Sequence, residues 1–150
     1  MIKIAKILCP IDFSDASRRA LRYAVDLAQK FGASLTLLHV YQVPGYTLPE
    51  GMVVAGPATL TELAAEVDAA LGEWKAEAVG LGCTDTQSAT AMGSTHAEII
   101  AAADGFDLVV MGTHGRKGIR HALLGSVAEK VVRGARCPVL TLHTGDHDSA

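Results

Sequence analysis

The sequence predicts an α/β domain in which five strands, separated by helices, form an open parallel sheet with helices on both faces. Two patterns carry this expectation. Short apolar runs that end in proline, glycine or polar turn residues alternate with longer stretches of three- and four-residue apolar spacing. Strands joined through helices run parallel, and such crossovers lay the helices on the sheet's faces. The bulk numbers agree. At 150 residues, 49% hydrophobic and 5% aromatic, the chain can bury one largely aliphatic core.

Taken in order, Ile2 to Cys9 reads as the first strand, stopped by Pro10. Ser14 can cap a helix whose buried face runs Ala20, Ala24, Leu27, Ala28 and Phe31, with Gly32 as terminator. Ser34 to Val40 is the second strand. Tyr41 to Pro57 holds three prolines and three glycines and reads as an excursion, not an element. Leu60, Leu63, Ala64, Val67, Leu71, Trp74 and Ala78 mark a long second helix. Thr86 to Met92 is a weak, polar third strand. Thr95-His96-Ala97-Glu98 has the form of a capping box opening a short helix. Leu108-Val109-Val110-Met111 is a buried strand, and Ser126-Val127-Ala128-Glu129 is a second capping box before a helix ending near Arg133. Pro138 to His143 is the fifth strand. One domain over residues 1–143 and a flexible tail over 144–150 follow, with no internal repeat.

Composition narrows the partners. A formal net charge of −3 argues against broad binding to nucleic acid or to an anionic membrane. Cys9, Cys83 and Cys137 are odd in number and widely spaced, which suits reduced thiols of a cytoplasmic protein. No signal peptide is visible at the N-terminus. The stretch from Phe31 to Pro49 has no acidic residue, Lys or Arg, but glycine, proline, His39 and Gln42 interrupt it, so it is not a membrane span.

The segment richest in chemistry is Gly112-Thr113-His114-Gly115-Arg116-Lys117-Gly118, with Gly125-Ser126 beyond it. A strand, a basic glycine-punctuated loop and a helix N-terminus can cradle phosphate. Glycines admit close backbone approach, and the helix end presents unpaired N–H groups and a positive dipole end. Glycine-rich strand–helix connections also occur where nothing binds, and a capping box alone would account for Ser126. The stretch is neither a Walker A sequence nor G-x-G-x-x-G. Open parallel sheets bind ligands beyond the strand C-termini, where strand order reverses. The other strand end of interest is Pro10-Ile11-Asp12-Phe13-Ser14. Were the first and fourth strands neighbours, Asp12 would face the glycine loop across one crevice, suited to a ribose hydroxyl or a metal ion. The plain alternative for Asp12 is a turn or cap carboxylate.

Several segments together resemble the universal stress protein family, from Ile4 to His143. They are Ile7 to Ser14, Leu37-Leu38-His39-Val40, Gly93 with Glu98-Ile99, Asp107 to Gly115, Leu124 to Val131, and Cys137-Pro138-Val139-Leu140. The spacing of Gly112, Gly115, Gly125 and Ser126 is the G-x2-G-x9-G-[ST] mark of that family's ATP-binding branch. The resemblance implies a Rossmann-like sheet of order 3-2-1-4-5, which sets the first and fourth strands side by side. It implies ATP as ligand, with Mg²⁺ on its phosphates. Adenine would be held by Ile11, Val40 and Met111, with Asp12, two residues after Pro10, on the ribose. The phosphates would lie on the backbone of Gly112, Gly115, Gly125, Ser126 and Val127, with the Ser126 hydroxyl adding a contact. Arg116, Lys117 and Arg120 are added here as charge partners, against the plain reading of solvated loop cations.

The function expected is that of an ATP-binding regulatory protein of the stress response, the nucleotide acting as a state signal toward a regulatory protein partner. The alternatives are a slow Mg²⁺-dependent ATPase or phosphotransferase timer, and a protein-interaction module with a vestigial or AMP-binding site. No P-loop lysine is present, so no fast catalysis is expected. A triad of His114, Ser126 and Asp12 is disfavoured because Ser126 is not on a nucleophile elbow. His143, His147, Asp146 and Asp148 read as solvated tail residues and not as a metal site. The uncharged strand 138–143, an edge in the implied order, is expected to pair with its copy in a homodimer.

Overall fold

A computed structural model describes residues 1–42, 45–54, 56–113 and 124–143. Five parallel strands form the sheet: β1 (Lys6–Pro10), β2 (Ser34–Tyr41), β5 (Thr86–Met92), β6 (Leu108–Gly112) and β7 (Val139–Leu142). Their spatial order is β5-β2-β1-β6-β7. Counted over the sheet strands alone, this is the expected 3-2-1-4-5, with its reversal between β1 and β6. Helices α1 (Asp15–Phe31) and α2 (Pro57–Gly80) cover one face, and α3 (Thr95–Ala103) and α4 (Ser126–Gly134) cover the other.

The two-residue period of the strands divides the core. Ile7, Cys9, Leu35, Leu37 and Val110 join Ala20, Leu21, Ala24 and Val25 of α1 and Leu71 and Trp74 of α2. Leu8, Leu38, Val40, Val109 and Met111 join Ile99 of α3 and Ala128 and Val131 of α4. Alternating polar positions are not needed in β1 and β6, because both of their faces are covered. Burial pushes the Cys9 thiol far up, which leaves it an inert core group.

Several local expectations shift. The first strand begins at Lys6, not Ile2. The Asp107 carboxylate accepts hydrogen bonds from the backbone N–H of Ala5 at 2.9 Å and of Lys6 at 3.0 Å. In α1, Leu21 and Val25 are buried and Phe31 is 47% exposed, so the apolar face is rotated from the expected one. Ser14 caps α1, its hydroxyl accepting from the Ser17 N–H at 3.2 Å, and Gly32 ends it in the left-handed conformation at φ 65°.

Both proposed capping boxes are displaced by one residue. Ser94 and Gly125 occupy the cap positions, so Thr95 and Ser126 are the first helical residues, and neither helix has a side-chain cap bond. The Tyr41–Pro57 excursion contains a β-hairpin, β3 (Gly45–Leu48) and β4 (Gly51–Val54), closed by the Leu48–Gly51 pair around Pro49 and Glu50. Gly51, at φ 133°, supplies the backbone conformation that returns the chain.

Candidate functional site

Where the sheet order reverses, β1 and β6 part. β1 pairs with β2 through Pro10↔Leu38, and β6 pairs with β7 through Gly112↔Leu142. Between β1 and β6, pairing stops at Leu8↔Val109. Backbone groups alternate sides along a strand. Lys6 C=O accepts from Asp107 N–H on the β6 side, and Ile11 N–H donates to Leu38 C=O on the β2 side at 2.8 Å. Position 10 therefore faces β6, and proline brings no N–H to that side. The β1–β6 ladder thus lacks its next rung at the switch point, where open parallel sheets have their crevice.

One wall of the crevice is the turn after β1. Phe13 adopts φ 63°, a left-handed conformation that is uncommon for a bulky residue and costs about 1–3 kcal/mol. Aromatic packing offsets it. The Phe13 ring lies 4.6 Å from the His39 ring and meets the Trp74 ring edge-on at 5.5 Å. This reversal leaves Asp12 exposed at the sheet's C-terminal rim. Its Oδ1 accepts from the Ser14 N–H at 3.0 Å and from the Ser14 hydroxyl. Its backbone N–H donates to Ser17 Oγ at 3.3 Å. Oδ2 takes no hydrogen bond from the described residues and is available to a ligand hydroxyl. The turn-carboxylate role of Asp12 thus falls on Oδ1 alone.

The other wall is the start of α4. Gly125 N–H donates to Thr113 C=O at 2.7 Å, tying the helix to the end of β6. Thr113, which is buried, is fixed in turn by its N–H bond to Leu142 C=O at 3.0 Å. The first intrahelical bond joins Glu129 N–H to Gly125 C=O. The N–H groups of Ser126, Val127 and Ala128 precede it, and no side chain among the described residues caps them. With Gly125, not Ser126, at the cap, the Ser126 hydroxyl is not spent on capping its own helix. Uncapped N-terminal amides at a positive dipole end fit an anion.

Gly112 brings the two walls together. A Cβ there would lie 2.9 Å from both the carbonyl carbon and the Cβ of Ala16, in the first turn of α1. Its bare Cα lets the start of α1, and with it the Asp12 turn, pack directly onto the end of β6.

The candidate residues fall into three groups. Val40 and Met111 are buried on the α3/α4 face, on the same side as the α4 N-terminus. Pro10 shares that side by the alternation of β1. Ile11 packs into the opposite, α1/α2 layer, so its side chain is on the other side of the sheet from Val40 and Met111. Gly115, Arg116, Lys117 and Arg120 lie outside the described residues, as do His114 and the 144–150 tail. Among the described residues no cluster of three His, Cys, Asp or Glu could hold a metal ion. Phe13, Ala16 and His39, which no sequence motif singles out as site residues, are the ones that shape the Asp12 turn.

These features define an open α/β domain with an acidic turn opposite a helix N-terminus at its switch point. The chain belongs to the universal stress protein family, which it matches over residues 3–143. A universal stress protein of Methanocaldococcus jannaschii is 34% identical over 140 residues, spanning 91% of this chain and 81% of that protein. Among solved structures, a universal stress protein from Lactobacillus plantarum is 27% identical with a TM-score of 0.78, covering 93% of this chain and 98% of its own. A universal stress protein in complex with cAMP is 28% identical with a TM-score of 0.70, covering 95% and 99%. No helix among the described residues is long and apolar enough to cross a membrane.

Proposed function

We propose that this chain is an ATP-binding regulatory protein of the stress response, cytoplasmic and homodimeric, with Mg²⁺ carried on the nucleotide's phosphates. The observation that carries it is that the Asp12 turn and the α4 N-terminus follow the C-terminal ends of neighbouring strands, β1 and β6, where the sheet order reverses. Asp12 Oδ2 would take a ribose hydroxyl. The N–H groups of Ser126 and Val127, with the Ser126 hydroxyl, would take phosphate oxygens, joined by the loop that carries Gly115 and Arg116. Val40, Met111 and Pro10 would offer the base an apolar wall. The cAMP complex of a relative supports an adenine nucleotide as the ligand class. Mg²⁺ would be held chiefly by phosphate oxygens, because the described residues bring no group of three His, Cys, Asp or Glu side chains together for it.

Calorimetric titration of ATP tests the placement. A hydrogen bond to a charged group is worth about 1.5–3 kcal/mol. Asp12→Ala should therefore weaken ATP about 10- to 150-fold. Unchanged affinity would refute the site.

Turnover is expected to be slow. Positioning of an attacking water is what a hydrolase would have to add. Phosphate release is expected well below about one per second, the lower end of typical turnover numbers. A faster, metal-dependent rate abolished by Ser126→Ala would establish the ATPase timer instead.

For the dimer we propose pairing through β7. Its outer edge is unpaired among the described residues, and an aliphatic edge left open invites association.

A further inference from the structure

We infer that His39 is a positioning residue for the nucleotide site, holding the Asp12 carboxylate in place through the backbone of Ile11. The inference rests on the proposed role of Asp12 and deepens it. His39 lies near the end of β2, half-buried, with Nδ1 2.7 Å from the Ile11 carbonyl oxygen. A carbonyl only accepts, so Nδ1 carries the proton and donates. Ile11 is thereby held to β2 twice, through its N–H to Leu38 C=O at 2.8 Å and through its C=O to His39. The next residue is Asp12, and the one after it is Phe13 at φ 63°.

A left-handed bulky residue persists only where its surroundings over-determine it. His39 supplies two of those constraints at once. Its nitrogen fixes the carbonyl that enters the turn, and its ring faces the Phe13 ring at 4.6 Å. Trp74 meets the Phe13 ring edge-on, and Tyr41 stacks on His39 at 6.3 Å, nearly parallel. Were His39 merely filling space on the α1/α2 face, any apolar residue of similar size would serve. The short, directed bond to Ile11 argues otherwise. An Asp12 freed from this clamp must be ordered by the ligand, and affinity falls by that ordering cost.

A double-mutant cycle with magnesium-ATP as probe tests it. His39→Leu removes the donor and keeps apolar bulk. It should weaken ATP about two- to twelvefold, the equivalent of one neutral hydrogen bond. In an Asp12→Ala background the same substitution should cause no further loss, because the group it positions is gone. His39→Asn, whose amide can donate in place of Nδ1, should restore affinity to within about twofold of wild type while His39→Leu does not. Equal losses in both backgrounds, or no loss from His39→Leu when Asp12→Ala does weaken binding, would overturn the inference and leave the site standing. No effect from Asp12→Ala itself would overturn both. Near-UV circular dichroism, reporting on Trp74 and its ring neighbours, separates a misfolded variant from a folded one; should His39→Leu misfold, His39→Met, which likewise has no donor, replaces it in the cycle, with the same outcomes.

Discussion

Gly112→Val is expected to lower both stability and nucleotide affinity, and more severely than its half-buried place at the end of β6 would suggest. The new Cβ would sit 2.9 Å from the Ala16 backbone, so a main chain, not a flexible side chain, must give way. Overpacking of this kind costs about 1–3 kcal/mol. For a chain of this length that is about 2–12 °C in Tm. The strain is relieved by pushing α1 off the end of β6, which carries the Asp12 turn away from the α4 N-terminus. ATP affinity should fall by more than the roughly tenfold minimum of Asp12→Ala. Gly72→Ala is the control. That glycine is exposed within α2 with open space around its Cα, so alanine should add about 0.5–1 kcal/mol and leave binding alone. Thermal melts and titrations of the two variants check both halves. Equal stability of Gly112→Val and wild type would disprove the close-approach account.

Thr141→Pro is expected to convert a dimer into a monomer without unfolding the protein. Pro138 C=O and Leu142 C=O accept from Val109 and Thr113 of the β6 side, so positions 138, 140 and 142 face inward. Val139 and Thr141 therefore present their N–H groups at the open edge. Proline at 141 deletes an outward donor and spares the ladder to β6, which proline at 140 would break. Light scattering at tens of micromolar should give twice the chain mass for wild type and the chain mass for the variant, with helical circular dichroism unchanged. A wild type that stays monomeric at high micromolar concentration would sink this proposal, and a dimeric Thr141→Pro would move the seam elsewhere.

Much of the fold was legible because its signals are periodic and long. Buried strands such as Leu108–Met111, and α2 with Val67, Leu71, Trp74 and Ala78, declare themselves by spacing. The strand order came from resemblance, since nothing local says which strand lies beside which. The misses are short-range. The start of β1 depends on the Asp107 carboxylate, a hundred residues away in sequence. The hairpin depends on pairing across Pro49–Glu50 in a stretch whose prolines and glycines spoke for irregularity.

At the site, Asp12 and Gly125 were singled out by resemblance to the family's segments, and they stand in the turn after β1 and at the N-cap of α4. The role of Gly112 was not legible, because a glycine admitting an anion and a glycine admitting a neighbouring helix look alike in sequence. Phe13 carried no sign at all. Phenylalanine is among the residues least expected at positive φ, and only its contacts with His39 and Trp74 explain it.

The gap beside Pro10 also has a bearing on how this molecule would respond to selection. Almost any other residue at that position would restore a donor and let β1 and β6 zip one rung further, toward a tighter sheet. Variants chosen for heat resistance alone should therefore tend to lose this proline, and the cleft would close as they do. A screen that keeps nucleotide in the assay should retain it. On the proposed reading, position 10 would set robustness against nucleotide binding, and a stabilised version of the protein is best engineered elsewhere.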